Sequence, residues 1–169
     1  MVLSFFKRGE SGLEHVAHQT ISMLGDARHS FDLASTAVLA GADPAAVGAD
    51  IRATDQRINA AEQQLRSELV VHVAVQGGGD IGLVLGYTLL LKKIERIGDQ
   101  AKNILDLAEE GISLAGADDV DMFISRRQQI SQMYVEAADI LASQDADRAR
   151  AFLVASRELN AECEAKVHE

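Results

Sequence analysis

The chain has 169 residues, of which 47% are hydrophobic and 25% are charged, and its formal net charge is −10. This length predicts one compact domain, or two small units that share a core, and the apolar content argues against a disordered chain. The negative charge argues against non-specific binding to nucleic acid or anionic lipid, because such binding depends on Lys and Arg side chains that neutralise phosphates. We therefore expect no nucleic-acid partner.

Three features of the sequence bear on the cellular compartment. Cys163 is the only cysteine, which excludes an internal disulfide and a zinc site built from cysteines. The longest apolar run, Ile81 to Leu91, is shorter than the about 20 residues that a helix needs to span a bilayer. Lys7 and Arg8 follow an apolar patch, which is the reverse of the order in a secretory signal. These features predict a soluble cytoplasmic protein.

Turn signals divide the chain into long segments. Residues 41–44 (Gly-Ala-Asp-Pro) combine a helix end with an Asp N-cap and a Pro at the first helical position. Residues 77–80 (Gly-Gly-Gly-Asp) repeat this pattern, with Asp80 as the cap. Further breaks fall at Gly111 to Gly116 and at residues 143–145. The sequence thus predicts five helices, near residues 12–40, 44–76, 80–115, 118–143 and 145–169.

The periodicity within the first two segments is typical of long helices that pack nearly antiparallel in a bundle. In the first segment the seam positions are Leu13, Ala17, Thr20, Leu24, Ala27, Phe31, Ala34 and Val38. In the second they are Val47, Ile51, Thr54, Ile58, Ala61, Leu65, Glu68, His72 and Val75. We predict an all-α fold, an antiparallel bundle of long helices.

A faint internal repeat relates the two ends of the chain. Residues 39–43 resemble residues 141–145, and Ile58-Asn59 matches Leu159-Asn160 at nearly the same offset. On this interpretation residues 1–115 form one three-helix unit. Residues 116–169 then form the first two helices of a second unit whose third helix is absent. The alternative is the general similarity among Ala-rich helices.

Acidic side chains line one face of the third helix and one face of the second. Glu95 and Asp99 are four residues apart and project from the same face, and Asn103 continues this line one turn further. The corresponding residues of the second helix are spaced four and three apart: Asp55, Asn59 and Glu62. Both lines adjoin the apolar stripe of their helix, so antiparallel packing of the two helices would bring the oxygen ligands together.

Two interpretations of these lines remain open. Converging carboxylates repel one another unless a positive charge lies between them, and hard or borderline cations bind such oxygen-rich sites in helical bundles. Alternatively, the lines belong to an ordinary solvated face, in which i,i+3 ion pairs form between Lys92 and Glu95 and between Arg96 and Asp99.

Two segments carry a resemblance to a known family. Residues 95–104 (Glu-Arg-Ile-Gly-Asp-Gln-Ala-Lys-Asn-Ile) resemble the signature of the PhoU family of phosphate-uptake regulators, usually written Glu-Arg-Ile-Gly-Asp. Residues 55–62 (Asp-Gln-Arg-Ile-Asn-Ala-Ala-Glu) are similar to the pattern Asp-x-x-Val/Ile-Asn-x-x-Glu in the preceding helix of that family. The resemblance covers the whole chain in outline and residues 50–105 in detail.

The resemblance implies tandem three-helix PhoU-like repeats, each able to hold a metal cluster through its acidic motifs. Carried over by position, Glu95 and Asp99 are the first-rank ligands. Those of second rank are Asp55, Asn59, Glu62 and Asn103. Relatives are described with iron, zinc or other divalent ions, so the identity of the metal stays open. The second repeat departs from the pattern, because Ser156 stands at the position that corresponds to Asp55.

The function implied by the resemblance is regulation of phosphate transport and of phosphate-starvation signalling. The implied partners are a phosphate transporter at the inner membrane and a sensor histidine kinase. We expect no enzymatic activity, because no general acid or nucleophile is evident beyond the ligands themselves. Two alternatives are a phosphohydrolase with a two-metal carboxylate site and a metal-free helical adaptor. The incomplete second repeat indicates either that the sequence is a shortened form of a longer chain, or that a partner or a second copy in a homodimer covers its open apolar faces.

Overall fold

The computed structural model describes residues 12–167, which form five long α-helices. The helices are α1 (Gly12–Ala40), α2 (Pro44–Gln76), α3 (Ile81–Glu109), α4 (Val120–Ser143) and α5 (Ala146–Val167). The described residues contain no β-strand, and the prediction of an all-α bundle is confirmed. Lys7 and Arg8, and the predicted end of the last helix at residue 169, lie outside the described residues. None of the helices within residues 12–167 is long and apolar enough to cross a membrane.

The first turn signal acts as predicted. Asp43 is the N-cap of α2, where its Oδ1 accepts a hydrogen bond from the backbone N–H of Ala45 at 2.9 Å, and Pro44 opens the helix. Gly41 precedes it with φ of +66°, a conformation that favours glycine. These contacts fix the tight reversal between α1 and α2.

The second turn differs from the prediction. Residues Gly78–Asp80 form a short 3₁₀ turn, and Asp80 makes no side-chain capping bond to α3. Instead, its Oδ2 lies 3.2 Å from Nε2 of His72, a buried side chain near the end of α2. The pairing with His72 therefore occupies the carboxylate that was expected to cap the next helix.

The predicted end of the third helix at residue 115 is wrong, since α3 ends at Glu109. Gly111, two residues beyond this end, has φ of +87°, a left-handed conformation that terminates helices. The chain then returns to α1, where the N–H of Leu114 donates to the carbonyl oxygen of Val38 at 2.8 Å. A tertiary hydrogen bond thus replaces the last turns of the predicted helix. α4 begins at Val120, two residues later than expected.

The main core lies where α1, α2 and α3 pack against one another. It is built from the predicted seam positions and their neighbours: Val16, Met23, Leu24, Ala27, Ile58, Leu65, Leu69, Val84, Tyr87, Leu91 and Ile94. Val75 is the exception among the predicted seam residues, since 59% of it is exposed near the end of α2. Burial of the shared apolar stripes is what holds these helices together.

α4 packs against α1 on the side of the bundle. A polar cluster fixes the contact: Asp32 of α1 receives a hydrogen bond from the hydroxyl of Ser131 at 3.0 Å and pairs with Arg127 at 3.2 Å. Ser131 in turn accepts from Nε of Arg28 at 2.9 Å. α5 packs against α4, and none of its side chains between residues 146 and 166 is buried. The division into units 1–115 and 116–169 stays a prediction.

Candidate functional site

The approach of α2 and α3 is set by a glycine inside the acidic motif. A Cβ atom on Gly98 would lie 3.2 Å from Cδ1 of Ile58 and 3.8 Å from Oδ1 of Asp55. The absence of a side chain at this position therefore allows the two backbones to come close. Close packing here brings the acidic line of one helix against that of the other.

Asp55 and Asp99, one from each helix, converge on the ammonium group of Lys102. Lys102 Nζ lies 2.9 Å from Asp55 Oδ2 and 3.0 Å from Asp99 Oδ1. These hydrogen bonds, with Asp55 first and Asp99 second, raise the pKa of Lys102 above its usual value. Asp55 is only 7% exposed and also accepts a hydrogen bond from Nδ2 of Asn59 at 3.2 Å. Three of the predicted site residues are thus brought together.

Glu62 and Glu95 have their own basic partners. Glu62 is buried, and its Oε1 accepts a hydrogen bond from Nη1 of Arg66 at 3.0 Å. The Oε2 atom of Glu95 lies 2.7 Å from Nζ of Lys92, as the interpretation of a solvated face predicted. Both pairs lie within a single helix, so a local spacing of three or four residues is enough to form them.

Asn103 and Arg96 behave differently from the other residues of the motif. Asn103 is exposed, and its Nδ2 donates to Oε1 of Gln100 at 3.4 Å rather than to one of the acidic residues. The predicted pair between Arg96 and Asp99 is absent, because the carboxylate of Asp99 contacts Lys102 on the next turn. Arg96 makes no ion pair with any residue of the described region.

What the groove can bind depends on how many of its carboxylates are already paired with basic side chains. Four carboxylates (Asp55, Glu62, Glu95 and Asp99) are paired with three basic side chains (Arg66, Lys92 and Lys102). Oδ1 of Asp55 is buried and has no hydrogen-bond partner within residues 12–167. Carboxylate and amide oxygens are the donors that hard cations prefer, and the ammonium group of Lys102 occupies the position between Asp55 and Asp99. As placed, no three His, Cys, Asp or Glu side chains of the described region surround one point closely enough for a metal ion.

Lys102 and Arg66 belong to the site although the acidic pattern of the sequence did not indicate them. Lys102 follows Asp99 by three residues, a spacing that could have indicated one of its two contacts. Its contact with Asp55 joins residues that are 47 positions apart, and no local pattern carries that information.

An open polar cavity of about 560 Å³ adjoins the groove. It gives solvent access to Asp99 and Lys102, and two arginines, Arg52 and Arg96, also line it. Arg52 of α2 links this helix to α3, since its guanidinium group lies 2.6 and 2.7 Å from the two carboxylate oxygens of Glu109 on α3. The remaining lining residues are Gln100, Asn103, Leu105 and Asp106.

Comparisons with known proteins identify the family of the chain. The model of the PhoU domain matches residues 15–108, which is more than half of the sequence and covers α2 and nearly all of α1 and α3. Searches of curated proteins and of solved structures gave no significant match. The matched region contains the whole α2–α3 groove described above. The chain therefore belongs to the PhoU family, whose members are regulators of phosphate transport rather than enzymes.

Proposed function

We propose that this protein regulates phosphate transport as a metal-binding docking protein. Its partners are then a phosphate transporter at the inner membrane and a sensor histidine kinase, and it works in the cytoplasm, peripheral to that membrane. The observation that carries the metal-binding part is the convergence of Asp55 and Asp99, from two different helices, on one position of positive charge. Membership of the PhoU family supports the regulatory part.

The positive charge in the groove is replaceable. Lys102 is 33% exposed and has a flexible four-carbon side chain, so its ammonium group can move into solvent. The two aspartates that it leaves behind would repel one another, and Asp55 is almost fully buried. A divalent ion relieves this repulsion more strongly than a single ammonium group does.

The ligands of the proposed metal come from both helices of the groove. Glu95 and Asp99 of α3 are the first-rank ligands of the proposed site. The second-rank ligands are Asp55, Asn59, Glu62 and Asn103. When bound, the metal supplies a fixed positive charge in the groove. The carboxylates of both helices then hold α2 and α3 in one arrangement, which presents a stiffer surface to a partner.

The adjoining cavity offers a place for the anionic group of a partner or for phosphate. Arg52, Arg96 and Lys102 line it, and of these three Arg96 makes no ion pair with a described residue, whereas Arg52 and Lys102 are paired with carboxylates. A planar guanidinium group suits bidentate recognition of phosphate oxygens. The overall charge of −10 would otherwise repel such a group, so local positive charge is required.

Elemental analysis of protein purified without chelator tests metal binding. We expect stoichiometric metal in the parent and little in the double variant Glu95→Ala/Asp99→Ala. The control is Glu110→Ala/Asp118→Ala, which removes two exposed carboxylates outside both the groove and the adjoining cavity. A parent protein that is empty and takes up no added iron, zinc or manganese would contradict the metal-binding proposal.

Binding to membrane vesicles that contain the phosphate transporter tests the docking proposal. The parent protein should sediment with these vesicles and not with vesicles of the same lipids alone. Loss of binding in Glu95→Ala/Asp99→Ala would connect the groove to docking, whereas unchanged binding would favour a metal-free adaptor. Hydrolysis of a generic phosphoester by the metal-loaded parent, but not by the double variant, would favour the phosphohydrolase alternative.

A further inference from the structure

The outer face of the first half of α3 is apolar and uncovered. Leu85 and Leu89, one helical turn apart, are 57% and 69% exposed. Val84, Tyr87 and Leu91 of the same helix lie in the core, so the bundle uses only the other side of α3 at this level. Exposed leucines that share a helix face are typical of a surface that a partner covers.

Two basic side chains continue this face towards the middle of α3. Lys93 follows Leu89 by four residues, Arg96 follows Lys93 by three, and both are exposed. Neither makes an ion pair with any residue of the described region, although the chain has 26 acidic residues and a net charge of −10. Residues 81–94 contain no Asp or Glu. The face is therefore locally positive on a negatively charged protein.

The carboxylates that follow this face along α3 already have basic partners. Glu95 is paired with Lys92 at 2.7 Å, and Asp99 is paired with Lys102 at 3.0 Å. The two unpaired cations of the outer face are thus left for an anion from outside the chain. One of them also lines the open cavity beside the groove, so solvent and ligands reach it freely.

A helix with apolar side chains and carboxylates on one side matches this arrangement. Leu85 to Arg96 spans about three turns, roughly 16 Å of helix at 1.5 Å per residue. A partner helix repeats its side chains with the same period, so apolar residues one turn apart cover Leu85 and Leu89 while carboxylates further along reach Lys93 and Arg96. A Cβ atom on Gly86 would meet nothing within 4 Å, so the backbone of a partner can approach closely there.

We propose that the outer face of α3 binds an acidic amphipathic helix of a partner protein. Burial of the two leucines supplies the non-directional part of the binding, and the unpaired cations select a partner by the sign of its charge. The proposal rests on the docking role proposed above and names the chemistry of the surface that docks. It does not depend on metal binding in the α2–α3 groove.

Fluorescence anisotropy with two labelled synthetic peptides tests the charge preference of the full chain. Each peptide forms a helix of about four turns with one apolar face, which is bordered by Glu in the first peptide and by Lys in the second. The parent should bind the Glu peptide about tenfold more tightly than the Lys peptide. Lys93→Glu/Arg96→Glu should reverse this preference, because the charge on the face changes sign. Equal affinity of the parent for both peptides would overturn the proposal.

A second variant tests the apolar part of the face. Leu85→Gln/Leu89→Gln should weaken binding of the Glu peptide about tenfold or more. Both positions are exposed and glutamine favours helix, so the helical content by circular dichroism should be retained. The matched control is Leu153→Gln/Arg157→Glu, which changes an exposed leucine and an exposed cation of α5 and should bind as the parent does. Unchanged binding in the α3 variant, or an equal loss in the control, would contradict the proposal.

Other occupants of the face give different results. Binding to vesicles of phosphatidylcholine and phosphatidylglycerol that both α3 variants abolish would assign the face to a lipid surface, and self-association that they abolish and that excludes the peptide would assign it to a second copy. Either result overturns the proposal. In the assay with transporter vesicles, undiminished binding of both α3 variants would also overturn it and leave the proposed function intact. A parent that binds the Glu peptide and not those vesicles would contradict the transporter as partner and support the acidic-helix surface.

Discussion

Lys102 of α3 holds its Nζ atom 2.9 Å from Oδ2 of Asp55 on α2, and this ion pair closes the groove between the two helices. The carboxylate is nearly buried, with 10% of its side chain exposed, whereas 33% of the lysine side chain is exposed. The pair therefore joins the carboxylate of Asp55, which is held away from water, to the ammonium group of Lys102, which can move out into solvent. This asymmetry underlies the first prediction.

Replacement of Lys102 by Met should destabilise the metal-free protein by about 1–3 kcal/mol, because the buried carboxylate of Asp55 loses its charged donor. Urea denaturation in the presence of chelator measures the change in the free energy of unfolding. Arg157→Gln, at an exposed residue without an ion pair in the described region, is the control and should shift stability by no more than about 0.5 kcal/mol.

The same variant also distinguishes a metal site from a structural ion pair. If the groove binds metal, a divalent ion should stabilise Lys102→Met more than it stabilises the parent, because no ammonium group competes for the aspartates. Equal stabilisation of both proteins by the ion would contradict a site between Asp55 and Asp99. Equal stability of both proteins in chelator would show that the ion pair contributes nothing measurable.

Substitution of Gly98 by Leu should destabilise the protein by about 1–3 kcal/mol, because the added side chain enters the packed contact with Ile58. Gly25→Leu is the matched control. It lies within α1, where a Cβ atom would meet nothing within 4 Å, so the change should raise stability by up to about 1 kcal/mol through helix propensity. Thermal unfolding of both variants supplies the comparison. Similar shifts in both would show that the α2–α3 contact does not require glycine.

Both tyrosines of the chain should ionise only at unusually high pH. Burial raises the pKa of Tyr87, and burial followed by the negative charge of Asp32 raises that of Tyr134. A pKa that is higher in the folded state contributes stability below the unfolded value, about 10, and this contribution is lost as pH rises further. Ultraviolet titration of the folded protein should therefore detect little tyrosinate near pH 10. Full ionisation there, with the helices intact, would contradict the burial of these rings.

Tyr134→Phe provides the control for this titration. It removes the hydroxyl group whose pKa is raised by burial and by the charge of Asp32, so the remaining signal belongs to Tyr87. The stability of the variant should fall less steeply at alkaline pH than that of the parent, because one of the two linked groups is gone. A parent and a variant with the same alkaline profile would assign the loss of stability to other groups.

Asp32→Ala should loosen α4 from α1. The substitution removes the acceptor of the Ser131 hydroxyl and the partner of Arg127, the two polar contacts that α1 makes with α4 through this carboxylate. Hydrogen exchange should become faster in α4 and α5 while the core amides of α1, α2 and α3 stay protected. This result would also support the division of the chain near residue 115. Uniform acceleration throughout the protein would instead indicate one cooperative unit.

The sequence alone determined the helical architecture and the position of the acidic lines. The spacing of apolar residues predicts five helices, and the capping residues Asp43 and Pro44 place the start of α2 correctly. These signals are local, because helical periodicity and capping depend on residues within about one turn of each other. The family resemblance rests on the same local patterns, and the match of residues 15–108 to the PhoU domain confirms it.

Tertiary structure decided the path of the chain after α3 and which basic side chain pairs with Asp55 in the groove. α3 ends at Glu109, two residues before Gly111, and the chain beyond it folds back to bond with Val38 of α1, a contact that the sequence pattern does not contain. Lys102 reaches Asp55 across 47 positions only because Gly98 lets α2 and α3 approach closely. Local spacing fixes which side chains share a face of one helix, whereas the neighbour that faces them across a groove is fixed by the packing of the whole bundle.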